Sequence, residues 1–111
     1  MSAKGTATFI AQRASAVVLL PLTAWLAWSL AAHTGGGYNA VRDWLASPLN
    51  AGLLAAFIVF AAFHMRIGIS EILHDYIHGS LRGVLSALNW LLCAAAALAA
   101  LWAAYTLAFA G

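Results

Sequence analysis

The chain has 111 residues, 65% of them hydrophobic and 7% charged, with a formal net charge of +2 and a mean hydropathy of +0.92. A soluble domain carries about 25% charged residues and a disordered chain is poor in apolar and aromatic side chains, so both classes are excluded. A single cysteine, Cys93, leaves no internal disulfide and no cysteine cluster for a metal, and neither a phosphate-binding glycine loop nor a basic nucleic-acid patch is present.

Crossing the ~30 Å hydrocarbon layer takes about 20 mostly apolar residues. The ionisable residues leave room for three such runs, near 12–33, 48–70 and 83–109. We therefore expect one all-α, three-span transmembrane domain over residues 1–111, with lipid as its surroundings. The first run has a secretory signal as its rival, but Ala14 to Ala32 is longer than the usual 7–15-residue core of such signals. Pro21 predicts the loss of the backbone partner of Val17 and a kink, which membrane helices tolerate. The run from His33 through Gly37 ends that helix. Tyr38 to Ser47 reads as an interfacial loop, with Trp44 at headgroup level.

Ser47 and Pro48 fit the cap and first position of the second helix. That helix should outrun its span to about Tyr76 and stop near Gly79. The third begins at Ser80 or Gly83 and carries small residues at Ala94–Ala97, Ala99, Ala100, Ala103 and Ala104, which let helix backbones approach closely. Lys4 and Arg13 precede the first span, Arg66 and Arg82 bracket the second turn, and the first loop has only Arg42 beside Asp43. The positive-inside rule then puts the N-terminus and second turn in the cytoplasm, with the first loop and C-terminus outside.

At about 100° per residue, Gly68, Glu71, Asp75 and His78 fall within about 40° of the line through His64, while Arg66 and Ser70 point elsewhere. Ionisable groups in membrane helices usually face protein, cofactor or water. An uncharged imidazole at the depth of His64 can ligate a metal or haem iron, or hydrogen-bond to another helix. Zinc is a poor third option, since three or four protein ligands are wanted. Gly68 admits a flat macrocycle or a second helix. Asp75 and Tyr76 follow about 16 Å farther along, near the membrane boundary. The tyrosine hydroxyl can donate to a carbonyl while the carboxylate orients that donor or passes a proton, or the pair is an ordinary interfacial helix end. His74 and His78 can exchange protons near neutral pH or simply meet water.

Three segments carry a resemblance: Gln12-Arg-Ala-Ser-Ala-Val-Val-Leu-Leu-Pro-Leu-Thr-Ala-Trp25, Phe63-His-Met-Arg-Ile-Gly68 and His74-Asp-Tyr-Ile-His78. Together they resemble the small haem-binding membrane anchor of succinate dehydrogenase, respiratory complex II, over nearly the whole chain. The proline and tryptophan of the first segment resemble its alphaproteobacterial branch. The resemblance implies a second three-span anchor as partner, holding with this one an iron–sulfur subunit to which a flavoprotein is attached. FAD and the iron–sulfur clusters would sit on those partners.

By the same resemblance His64 is one axial ligand of a shared haem b, its partner histidine coming from the second anchor. Gly68 lies beside that cofactor, and Arg13 matches the arginine near its propionates. Tyr76 donates to a ubiquinone carbonyl, and Asp75 positions that network. Glu71, His74 and His78 are left as members of a possible proton network, without ranked roles. The implied reaction is succinate plus ubiquinone to fumarate plus ubiquinol, in a bacterial inner membrane with the C-terminus periplasmic. Related fumarate reductases use similar anchors in the opposite direction. A structural membrane adaptor and a small multidrug transporter are the alternatives. The adaptor leaves the His64-to-Tyr76 pattern as coincidence, and the transporter lacks an acidic residue in its first span.

Overall fold

The computed structural model describes residues 3–110, with side chains from Gly5 to Phe109, so the Lys4 side chain counted for topology lies outside the described residues. In chain order the elements are α1 (Ala3–His33), a 3-10 turn (Thr34–Gly36), α2 (Gly37–Ala46), α3 (Pro48–Tyr76), α4 (Ser80–Tyr105) and a π-helical end (Thr106–Ala110). The described chain is all-helical, and three of its helical stretches are long and apolar enough to cross a membrane. The molecule measures 50 × 25 × 22 Å, so its long axis matches a bilayer of about 40–45 Å including headgroups.

α3 is the central helix. It packs most extensively against α4, then against α1. Its buried positions include Ala51, Ala55 and Ala62, small side chains that bring backbones together where lipid offers as much apolar contact as protein does. The inward seam of α4 runs through Ser86, Asn89, Cys93, Ala97, Ala100 and Ala104, in steps of three or four residues. Of the alanines expected to matter, Ala97, Ala100 and Ala104 fall on this seam, whereas Ala95, Ala96, Ala99 and Ala103 are exposed. Asn89 is the buried residue of α4, and its Nδ2 donates to the Arg66 carbonyl of α3 at 2.9 Å. Cys93 Sγ donates to Asn89 Oδ1 at 3.6 Å.

α1 is continuous through Pro21. Its inward seam also steps by three and four, and carries Thr8, Gln12, Ser15, Ser29 and His33 among apolar side chains. The polar groups thus face protein, as expected for side chains taken into hydrocarbon.

Two local expectations are corrected. Tyr38–Ser47 is not a loop: Gly37–Ala46 forms α2. Ala40, Val41, Trp44 and Leu45 share one face at helical spacing and turn toward the bundle. Burial of that stripe stabilises a segment whose glycine-rich approach had suggested irregular chain. Trp44 is buried against the bundle, and stacks on Trp25 at 5.7 Å with His33 at 6.0 Å. Ser47 occupies the cap position of α3, but its side chain makes no capping bond. The cap region is tied instead by Asn50 Nδ2, which donates to the Trp44 carbonyl at 3.1 Å.

α3 and α4 are joined by the short turn Ile77–Gly79, where Gly79 has φ +71°, a conformation that costs glycine little. Arg82 closes the turn. Its Nε donates to the Ile77 carbonyl at 2.8 Å, and one Nη donates to the His74 carbonyl at 3.1 Å and to His78 Nδ1 at 3.2 Å. Carbonyls left over at the end of α3 thereby gain a cationic donor, which also complements the helix dipole.

Candidate functional site

His64 lies on the flank of α3 that α1 covers, half-buried, about 24 Å along the helix from Pro48. Its Nδ1 is 2.9 Å from Ser15 Oγ on α1. Ser15 is 3% exposed, and its hydroxyl donates to the Gln12 carbonyl at 2.9 Å. The tautomer follows from where the hydroxyl proton goes, and the Gln12 carbonyl is the acceptor within its own helix. A hydroxyl has one proton, and a carbonyl can only accept it. With that proton given to Gln12, Ser15 Oγ must accept from His64, so Nδ1 carries hydrogen and Nε2 carries the free lone pair. Among the described residues nothing hydrogen-bonds to Nε2.

This donor set suits one axial position on a haem iron. A neutral imidazole offers one nitrogen, and its other nitrogen is held by an acceptor, the usual arrangement of a ligating histidine. Among the described residues no three His, Cys, Asp or Glu gather as a metal cluster, so a multidentate ion site is not built here. Gly68, one turn along, is approached by α1: a Cβ there would stand 3.4 Å from Gln12 Nε2. Gln12 Oε1 is buried and has no hydrogen-bond partner among the described residues.

The remaining stripe residues separate toward the end of α3. Glu71, His74 and Asp75 line a cleft of about 1000 Å³ between the first turns of α1 and the last turns of α3. Arg66 and Ser70, expected to point away from the stripe, share that cleft with them, and Arg66 stacks over Trp90 of α4 at 4.6 Å. Tyr76 does not line it. Successive helical residues stand about 100° apart, so Asp75 turns to the cleft while Tyr76 points outward, 76% exposed. His78 leaves the stripe because α3 ends at Tyr76 and Ile77 is extended; there His78 accepts at Nδ1 from Arg82, whose guanidinium can only donate.

Arg13 is not brought to His64. It is exposed, with its guanidinium over the Phe9 ring at 5.2 Å, and stands about 200° round α1 from Ser15. Ser15, Gln12, Asn89 and Arg82 were not singled out for these contacts by sequence reasoning. The three-and-four spacing of Thr8, Gln12 and Ser15 within an apolar helix was the available signal, because polar side chains repeating on one face must meet protein.

Three membrane-length helices, with ionisable groups gathered along the middle one, define a small multi-pass membrane protein built around α3. The family described as succinate dehydrogenase/fumarate reductase transmembrane subunit matches residues 1–105, and the chain belongs to it. It is therefore a membrane subunit of an oxidoreductase complex and works with the other subunits of that complex. Comparison with curated proteins and with solved structures returned no match.

Proposed function

We propose that this chain is one of two hydrophobic anchors of a succinate:ubiquinone oxidoreductase of the bacterial inner membrane, where it supplies an axial ligand to haem b and part of the quinone site. The single observation that supports the ligand role most directly is the open Nε2 of His64, at membrane depth, with Nδ1–H held by Ser15. When bound, the haem supplies a one-electron couple close to the quinone site. The second axial nitrogen comes from the other anchor. Gly68 and Arg13 are assigned to the cofactor's surroundings on the family resemblance. Because Arg13 faces away from His64, its contact with propionates depends on how the second anchor closes against α1.

Succinate oxidation belongs to the flavoprotein, and electrons reach the membrane through the iron–sulfur subunit. At the quinone site two electrons and two protons convert ubiquinone to ubiquinol. Tyr76 donates from its hydroxyl to a quinone carbonyl at the cytoplasmic end of α3. Asp75 orients that network or delivers protons from the cleft, where Glu71 and His74 stand beside it. The outward position of Tyr76 suits a pocket whose other walls come from partner subunits.

A second reading has an observation behind it, since the His64–Ser15 contact is itself an interhelical hydrogen bond. Such a bond is worth about 0.6 kcal/mol in a membrane and needs only one ring nitrogen. Replacement of His64 by Ala separates the two readings. In an assembly with both anchors present, His64→Ala is expected to abolish the low-spin haem spectrum. Unchanged haem content and iron coordination would leave only the structural role.

A further inference from the structure

We infer that Ser15 is the positioning residue for the haem ligand. Its hydroxyl oxygen, aimed by its own bond to the Gln12 carbonyl, holds the His64 imidazole in one tautomer and one ring orientation, and raises the donor strength of Nε2. This rests on the assignment of His64 as an axial ligand. It adds a residue on a different helix, 49 positions away in sequence.

The hydroxyl proton goes to a backbone carbonyl three residues earlier, a bond internal to α1 that persists wherever the helix persists. The lone pair it leaves is directed across the α1–α3 seam at 2.9 Å from Nδ1. Ser15 is buried, so water does not compete for either bond. A ring rotated about its Cβ–Cγ bond would carry Nδ1–H away from this acceptor and lose the bond. The acceptor therefore selects the ring plane as well as the tautomer. An N–H bonded to an oxygen also shifts electron density toward the opposite nitrogen. A more basic Nε2 favours ferric over ferrous iron, and so lowers the reduction potential relative to an imidazole without that bond.

Ser15→Ala and Ser15→Cys remove the acceptor or weaken it, the second while nearly keeping side-chain volume. Ser15→Thr keeps the hydroxyl. Each is introduced into the whole complex alongside His64→Ala, and potentiometric titration of the haem is combined with ferric low-spin electron paramagnetic resonance. Ser15→Ala and Ser15→Cys are expected to retain haem while their potential moves to more positive values and the low-spin g values shift. Ser15→Thr should restore both. Should Ser15→Ala fail to assemble, Ser15→Cys carries the comparison. Potentials and g values equal to wild type in Ser15→Cys, with haem lost in His64→Ala, would overturn the role of Ser15 alone. Haem retained unchanged in His64→Ala would overturn the ligand assignment beneath it.

Discussion

Asp75 and Tyr76 are neighbours in sequence that look in different directions, one into a cleft and one outward. Their roles should therefore separate by mutation. Tyr76→Phe removes a hydroxyl and keeps the ring, so quinone-linked turnover should fall in the assembled complex. Succinate oxidation with an acceptor that takes electrons upstream should survive. Losing a donor to a developing oxyanion costs about 2.7–4 kcal/mol in a favourable site, a value that a quinone carbonyl need not reach, so the prediction is a selective loss without an assigned fold change. Asp75→Asn, which keeps shape and removes charge, should give the same selective defect. Normal quinone turnover and affinity in Tyr76→Phe would reject direct donation. At this scale the sequence exposed His64, Asp75 and Tyr76 because rare ionisable groups stand out in an apolar chain. It could not expose Ser15, since a serine with a back-bond to its own helix looks the same whether or not an imidazole arrives from a distant segment. Nor did helical phase foretell His78, because α3 ends two residues before it and the turn, where Arg82 contacts it, sets its direction.

Helices α3 and α4 meet through side chains small enough that one amide reaches a main-chain carbonyl across the seam. Asn89→Ala deletes that bond and the acceptor of Cys93, while the Arg66 carbonyl sits inside α3 and keeps its helical partner. Loss of about 0.6–1.7 kcal/mol is expected, measured by reversible unfolding in bicelles. A change well beyond that range would mean that Asn89 does more than bridge two helices. The long helices were legible from runs of apolar residues, and the end of α3 at Tyr76 from its polar stripe and following glycine. α2 was not, because three successive glycines, Gly35 and Gly36 before it and Gly37 at its start, read as irregular chain while its short apolar stripe needs the bundle end to bury Trp44. Helices of about 10 residues depend on tertiary burial more than on propensity, so the sequence signal was weak for a physical reason.

For the whole molecule, most large apolar side chains face outward, as lipid and partner subunits require. The proposed topology puts the turn after α1 outside and the turn after α3 inside. Suitable positions for cysteine labelling follow from local geometry. A Cβ at Gly36 would collide with Ala40 Cβ at 2.6 Å and one at Gly79 would be strained at φ +71°, whereas Gly35 has open space and Ser80 is exposed. In a Cys93→Ser background, Gly35→Cys should react from the periplasmic side and Ser80→Cys from the cytoplasmic side. Reaction of both from one side would reject the topology. The seam between α1 and α3 also has a consequence in time. A ribosome adding about 5–20 residues per second delivers His64 roughly 2–10 s after Ser15. During that interval α1 has no α3 to meet. The serine back-bond to the Gln12 carbonyl needs only three residues' separation within α1, so it requires no later segment to form. The imidazole thus comes last to a contact whose other half, the serine and the carbonyl it bonds, lies within a single turn of the helix made first.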